Sequence, residues 1–375
     1  MKKSILIVLS LCFFIATFGQ SASLSYSISY KHYHGLYLKG DEANVVDLDL
    51  EWPEYLNFSS EPVLQRYLNQ IVFDNNDTSY QESCRKYLSG FGNLVNGQLQ
   101  SVPDDSKFCY IDVKLHVVGY SFGRYISYCL SKNVAPQDSS KMKKQKLLCY
   151  FTYDMINDKI LTGRDLLDQF KINNSENVRN ELAMAILVNS ESSICDNGIE
   201  SMIYDAVLSK YGTVFYYTLN SQDAGVYSSR STIPFKDKLN ILSKSAKKLV
   251  DCDIPKISVH AIPQNTFDGD TGMIYTEVDV LPEPNLSQSL DSYLKEELNL
   301  PISFIKYADK FKCGFSFVVE RDGSLSNMRS IIPCDPEVER AIIDKFMLMP
   351  KWKPAKINGK TVRCFCIFPI SVRLK

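Results

Sequence analysis

The sequence is poor in the residues and motifs that most catalytic and nucleotide-binding proteins use. Its 375 residues include only 4 histidines and 2 tryptophans. It contains no P-loop, no Gly-x-Gly-x-x-Gly loop and no His-Glu-x-x-His motif. It also lacks an excess of positive charge, because 42 Lys and Arg residues face 43 Asp and Glu residues. Since nucleic-acid-binding domains usually carry a basic surface, we expect no nucleic-acid partner. Because the metal-binding and nucleotide-binding motifs are missing, we also expect no metal and no cofactor.

Long uncharged apolar runs are equally scarce. The one clear run covers residues 4–19 and follows Lys2 and Lys3. This pattern is typical of an export signal that is cleaved close to Gly19 or Gln20. The run is short for a membrane span, which needs about 20 apolar residues. We therefore predict a signal peptide at residues 1–20 and a periplasmic protein, which an uncleaved signal would tether to the membrane.

No Cys-x-x-Cys pair occurs, although the chain has 11 cysteines. Removing Cys12, which lies in the apolar run, leaves an even number, so an exported chain could form disulfides. Cys364 and Cys366 are two residues apart and therefore share one face of a strand. We interpret the C-terminal cysteines as buried apolar residues. The spacing leaves the disulfide connectivity open.

One motif favours an enzyme. Residues 119–123 match the Gly-x-Ser-x-Gly pattern of serine hydrolases, with Ser121 at its centre. That motif needs a strand before the serine and a helix after it. Here a second strand is predicted to begin near Tyr125, so we interpret the motif as a hairpin turn. An envelope serine hydrolase stays the alternative from the enzyme class.

A histidine pair offers the other route to catalysis. His32 and His34 share one strand face and could hold a metal ion together. No third ligand follows at close spacing, so we interpret the two residues as a surface pair.

The patterning predicts an α+β protein with two parts. Alternating strands and short amphipathic helices fill residues 21–251, and we take this range as one mixed α/β module. Residues 252–272 contain Pro255, Pro263, Gly269 and Gly272, which favours a linker. Residues 273–375 then predict a small domain with two helices packed on an antiparallel sheet. Its second helix should begin at Asp335, because a capping carboxylate is followed by proline.

The first part resembles a known extracytoplasmic module. Three segments carry the likeness: residues 48–53 with the following helix, residues 151–167, and residues 211–235. Across about 45–250 they resemble the region shared by the anti-sigma factor RsiV and the peptidoglycan deacetylase PdaC outside its catalytic domain. RsiV binds lysozyme through this region. The resemblance therefore implies, as an alternative function, an envelope sensor for lysozyme or a cell-wall glycan.

The last residues carry the most specific motif. Residues 349–354 read Met-Pro-x-Trp-x-Pro, residues 358–362 read Asn-Gly-Lys-x-Val, and the chain closes near Arg-Leu. This segment resembles the end of the C-terminal domain of the energy transducer TonB. The resemblance implies that four residues form its structural motif: Pro350, Trp352, Pro354 and Gly359.

The TonB resemblance implies binding rather than catalysis. Such domains capture an extended partner segment along a sheet edge, and the partner is an envelope protein such as an outer-membrane transporter. We predict that the partner contacts Arg363, Phe365, Ile367 and Arg373 on the final strand. The sequence departs from the family motif at Ala355, which replaces a glycine. More seriously, it has no long Pro-rich segment of the kind on which TonB crosses the periplasm, which weakens the link to energy transduction. We expect partner binding without transduction.

Overall fold

The structure is a computed structural model of an α+β protein, which confirms the predicted fold class. It describes residues 5–8, 26–56, 61–77, 79–95, 107–121, 123–136, 145–190, 202–221, 225–235, 241–251, 266–268, 272–288, 290, 293–294 and 310–374.

The described strands and helices follow one another in a mixed order. The strands are β1 (Ile5–Val8), β2 (Tyr26–Lys39), β3 (Glu42–Leu56), β4 (Asn93–Leu94), β5 (Lys107–Ser121), β6 (Tyr125–Pro136), β7 (Gln145–Asp154), β8 (Lys159–Leu161), β9 (Ile203–Leu208), β10 (Gly212–Ser221), β11 (Gly225–Pro234), β12 (Thr266–Asp268), β13 (Gly272–Tyr275), β14 (Lys310–Val319), β15 (Leu325–Ile332), β16 (Ala355–Ile357) and β17 (Lys360–Leu374). The helices are α1 (Pro62–Phe73), α2 (Tyr80–Ser89), α3 (Gly163–Leu166), α4 (Gln169–Asn174), α5 (Glu176–Val188), α6 (Lys244–Asp251) and α7 (Pro336–Met347).

The chain divides into two compact units. The N-terminal unit consists of Lys31–Trp52 and Ser60–Pro255. The C-terminal unit consists of Met1–Tyr30, Pro53–Ser59 and Lys256–Lys375. The predicted linker at 252–272 falls mostly outside the described residues, although Thr266–Asp268 pair with β13 as strand β12.

The main sheet of the N-terminal unit has the order β2-β3-β5-β6-β7-β8. Strand β3 runs parallel to β5, whereas the β5–β6, β6–β7 and β7–β8 pairs are antiparallel. Alternate residues Val46, Leu48 and Leu50 are fully buried, which confirms the period of two predicted for β3. The predicted hairpin of β5 and β6 is also confirmed.

A separate three-stranded sheet in this unit has the order β11-β10-β9. One of its faces packs on helix α5, where Phe215 and Tyr217 meet Leu182 and Ile186 in a buried cluster. Because side chains alternate along a strand, the neighbouring residue Tyr216 lies on the opposite face. That second face therefore does not belong to this buried cluster.

The C-terminal unit contains a sheet with the order β12-β13-β17-β14-β15. The β14, β15 and β17 pairings are antiparallel, whereas β13 runs parallel to β17, which the sequence did not predict. Helix α7 begins as predicted, with the Asp335 side chain accepting a hydrogen bond from the backbone N–H of Glu337. Its apolar stripe packs into the core of this unit, which includes Val338, Ile342, Phe346, Phe315, Phe317, Cys364, Cys366, Phe368 and Ile370.

The predicted first helix of this unit lies mostly outside the described residues. Leu290 and Leu294, which belong to it, are helical and lie in the same core as α7. The core cysteines Cys364 and Cys366 are buried without a disulfide.

The loop before the final strands is fixed by Trp352. Its side chain is 3% exposed, and its ring meets Phe317 edge to face with ring centroids 5.4 Å apart. Its backbone N–H donates to the carbonyl of Gly323 at 2.7 Å. Gly323 has a φ of 83°, and a Cβ there would lie 2.0 Å from the Trp352 carbonyl oxygen, so only glycine fits. The tryptophan thus joins the β14–β15 turn to the loop.

The last hairpin turns at Asn358 and Gly359. Their φ angles are 49° and 75°, and Ile357 pairs with Lys360 on either side of them. Two successive positive φ angles form the tight turn that suits the twist of a two-residue hairpin. The backbone N–H of Asn358 also donates to the Asp279 carboxylate at 2.6 Å. Of the other motif residues, Pro350 is exposed and Pro354 is half-buried.

Truncating Trp352 should destabilise the C-terminal unit. We expect Trp352→Ala to lower its free energy of opening by about 3–5 kcal/mol, because the change removes a large buried ring and leaves a cavity. Native-state amide exchange at Phe315 and Phe317 measures this locally. Lys351→Ala, at the exposed neighbouring position, is the matched control. A loss below roughly 1 kcal/mol for Trp352→Ala would contradict an anchoring role.

Candidate functional site

The final strand β17 has one side that is only partly covered. On its inner side it pairs with β14 from Val319↔Cys364 to Lys310↔Arg373. On its outer side it pairs with β13 at residues 363–364 and with β1 at residues 371–374. Before these stretches, residues 360–362 form the last hairpin with β16. Among the described residues, none pairs with residues 365–370 on that outer side. We call residues 365–370 the open edge of β17.

Side chains of the open edge follow the strand alternation. Cys366, Phe368 and Ile370 point into the core and are buried. Phe365 and Ile367, on the opposite face, are half-buried. These two residues therefore lie on the face where the sequence predicts partner contact. Their apolar side chains could pack against the alternate residues of an added strand.

Arg363 does not lie on an exposed surface, which corrects the sequence-based expectation. Its side chain is only 4% exposed. Its Nε donates to Glu320 Oε2 at 2.7 Å, and its Nη2 donates to Glu320 Oε1 at 2.8 Å. Its Nη1 also donates to the Gly272 carbonyl oxygen at 3.2 Å. A guanidinium held in this two-pronged pair stabilises the unit itself and is not offered to a partner.

The Glu320–Arg363 pair secures one end of the open edge. Burial opposes ionisation of Glu320, but hydrogen bonds from Arg363 and Ser326 outweigh it and lower the pKa of the carboxyl. Glu320 follows β14, Arg363 belongs to β17, and Gly272 begins β13. The pair therefore ties three strands together immediately before residue 365. Sequence reasoning missed Glu320, because its partner Arg363 is 43 residues away and no local pattern joins the two.

For Arg373 the structure describes the backbone pairing alone. It pairs with Lys310 of β14 and with Leu6 of β1. Its side chain is outside the described set, so the predicted partner contact stays a prediction.

The basic loop that precedes β16 is partly neutralised. The Lys351 ammonium lies 2.5 Å from Asp322, and the Lys353 ammonium lies 3.4 Å from Glu283. Both pairs are exposed, so each contributes little to stability. Lys356 and Lys360 are exposed as well and give this hairpin a positive surface.

The structure shows where the two motifs that favoured catalysis lie in the fold. Ser121 ends β5 and pairs with Tyr125 of β6, so the predicted hairpin turn is confirmed. His32 and His34 are both exposed, and His34 Nδ1 lies 2.7 Å from Asp47 Oδ1. Within the described ranges, no three His, Cys, Asp or Glu side chains come together to hold a metal ion.

The N-terminal apolar run is described only at Ile5–Val8, which form strand β1. The rest of residues 1–20 lies outside the described set, and export stays a prediction. In the part of the chain that the structure covers, no helix combines the length and hydrophobicity that crossing a bilayer requires.

Neutralising Glu320 should destabilise the β14–β17 pairing. We expect Glu320→Ala to cost about 2–3 kcal/mol at pH 7, below the value for a fully buried pair because Glu320 is 23% exposed. A carboxyl whose pKa is lowered on folding stabilises above its unfolded pKa, and this contribution disappears as pH falls through the folded pKa. Amide exchange of β14 at pH 7 and pH 3 measures both effects. Lys353→Gln, at an exposed position, is the control. If Glu320→Ala lost the same free energy of unfolding at both pH values, this account would be contradicted.

Comparisons with known proteins give little further guidance. No protein-family model and no curated protein matches the chain. The solved structure of a DUF3298 family protein from Pseudomonas aeruginosa PAO1 is similar to it, with 13% identical residues and a TM-score of 0.34. The similarity covers 59% of this chain and 95% of that chain.

Proposed function

We propose that this protein is a non-catalytic cell-envelope protein that binds a partner protein by strand addition. The partner segment pairs with the open edge of β17 in the C-terminal unit. The observation that carries the proposal is the open edge itself, residues 365–370, which lies between two paired stretches of the same strand. The TonB-like terminal motif supports an envelope partner, such as an outer-membrane transporter.

Backbone chemistry supplies the attraction. An edge strand presents N–H and C=O groups that an added strand can satisfy. Each such hydrogen bond contributes only about 0.5–1.5 kcal/mol net, so several are needed together with side-chain contacts. Phe365 and Ile367 supply those contacts on the face away from the core. Pro369 has no N–H and therefore limits how far regular pairing can extend.

Strand β1 supports the proposal from within the chain. Ile5–Val8 pair antiparallel with residues 371–374 on the outer side of β17. The same side of the strand thus already carries an added segment. Because β1 lies inside the predicted signal peptide, its removal on export would extend the open edge to Leu374.

The surface chemistry defines the segment that would fit. It is extended, it places apolar residues against Phe365 and Ile367, and it carries acidic residues near Lys356 and Lys360. Charge of this kind steers association and weakens at high salt. The partner class is therefore an extended, partly acidic peptide segment.

Amide exchange on the complex tests strand addition. Immobilised full-length protein captures the partner from envelope extract, and a synthetic peptide of the captured segment is then titrated onto the free protein. We expect slower exchange within residues 365–370 when the peptide is bound, because open N–H groups become hydrogen-bonded. Unchanged exchange across residues 362–370 despite binding would exclude the model.

Substitutions distinguish peptide binding at the open edge from effects of the surrounding residues. Ile367→Lys should weaken peptide binding at least tenfold, because a charge replaces the apolar contact without removing a backbone donor. Ile367→Pro should weaken it further by removing the N–H. Lys356→Gln should give only a small, salt-dependent loss. Arg363→Ala should act through stability, so unimpaired folding together with lost binding would contradict its assignment as a structural residue.

A further inference from the structure

A groove in the N-terminal unit is unrelated to the open edge. It lies between the outward face of the β9–β11 sheet and residues Leu148 and Tyr150 of strand β7. Its volume is about 600 Å³. That size falls within the range of about 300–1,000 Å³ that is typical of small-molecule sites.

Strand register places a polar row on the groove floor. Tyr216 of β10 lies directly opposite Asp205 of β9 on one side and Arg230 of β11 on the other. A carboxyl, a phenol and a guanidinium therefore stand side by side on one face of the sheet. All three residues line the groove.

A second row lies two residues further along the same strands. Thr218 stands opposite Ile203 and Ser228, and its hydroxyl lies 3.0 Å from the Ser228 hydroxyl. Hydroxyls both donate and accept hydrogen bonds, so this row adds polar contacts without net charge. Ile203, which is 75% exposed, gives the row an apolar end.

Stacked aromatic rings form one wall. The rings of Tyr150 and Tyr216 lie 4.1 Å apart between centroids and 17° from parallel. Burial raises the pKa of Tyr150, and its hydroxyl is held by a hydrogen bond with the Cys129 side chain. The wall therefore combines a flat apolar surface with polar tips.

Asp205 connects this groove to a neighbouring recess of about 640 Å³. Tyr204 and Asp205 line both spaces, and Thr162, Gly163 and Arg164 line the second. Burial raises the pKa of Asp205, while backbone hydrogen bonds from Ala206 and Gly163 hold its carboxyl in place. The two spaces share one fixed acidic group, which suits an elongated ligand that passes over it.

We propose that the groove binds an oligosaccharide of N-acetylated pyranose rings. A pyranose has a flat C–H face that can lie against the outer ring face of the stacked Tyr150 and Tyr216 pair. Its hydroxyls can pair with Asp205, Arg230, Thr218 and Ser228. The methyl group of an acetamido substituent suits the apolar end formed by Ile203 and Leu148. The mixture of one acid and one base disfavours a polyanion such as nucleic acid, and the polar rows disfavour a wholly apolar ligand.

Titration of the full-length protein with three probes tests the ligand class. The probes are chitotriose, cellotriose, which lacks the acetamido groups, and a neutral tripeptide. We expect chitotriose to bind at micromolar to millimolar concentration, with amide resonance shifts at Tyr150, Asp205, Tyr216 and Arg230. Cellotriose should bind at least threefold more weakly. Equal binding of the two sugars, binding of the peptide alone, or no shift with chitotriose at millimolar concentration would each overturn the proposal.

Two variants and a control test the geometry. Tyr216→Ala should reduce chitotriose affinity at least tenfold, because Tyr216 belongs both to the aromatic wall and to the polar row. Thr218→Val keeps the shape, removes the hydroxyl and should cost a few-fold. Tyr110→Ala is the control, since Tyr110 is a 50% exposed tyrosine on strand β5 that does not line the groove. Full affinity in folded Thr218→Val and Tyr216→Ala proteins would place the ligand elsewhere. The peptide-binding edge should respond to none of these changes, so the two proposals fail independently.

Discussion

The contact between Trp352 and the Gly323 turn is the constraint on which the C-terminal unit depends. The tryptophan is the largest side chain of its loop, and the loop connects helix α7 to the last two strands. Because the indole is packed on Phe317 while its backbone N–H reaches Gly323, the β14–β15 turn and the loop are fixed together. That arrangement positions β16 and the Asn358-Gly359 turn, and these start β17 in its register with β14. The starting point of the strand that carries the open edge is fixed in this way.

A second constraint acts at the beginning of the open edge. The Arg363 side chain of the Glu320–Arg363 pair is buried, so an unpaired charge there would be costly. Its hydrogen bonds join the end of β14 to β17 and reach the first residue of β13. The strand is therefore held firmly at residue 363 and left open from residue 365. A rigid boundary of this kind favours binding, because less conformational entropy is lost when a partner strand is added to an ordered edge.

Local chemistry made much of the fold predictable. Asp335 followed by proline specifies a helix start, Asn358-Gly359 specifies a two-residue turn, and the alternation around Cys364 and Cys366 specifies one buried face. Features that join distant residues were not predictable. Glu320 and Arg363 are 43 residues apart, so nothing local reveals that the predicted contact residue is already paired. The Asp205, Tyr216 and Arg230 row depends on the register of three strands, and the stacked partner of Tyr216 comes from β7.

The two candidate sites use different parts of the polypeptide for recognition. The open edge of β17 presents mainly backbone groups, which are the same for every residue except proline, so its sequence is constrained chiefly by the core face and by Pro369. The groove presents side chains, and each of its rows loses a specific hydrogen bond or ring when one residue changes. Substitutions on the outward face of β17 should therefore be tolerated as long as they stay apolar, whereas the rows across β9–β11 should tolerate few. This difference follows from the geometry of an edge and of a sheet face, whichever ligand each one binds.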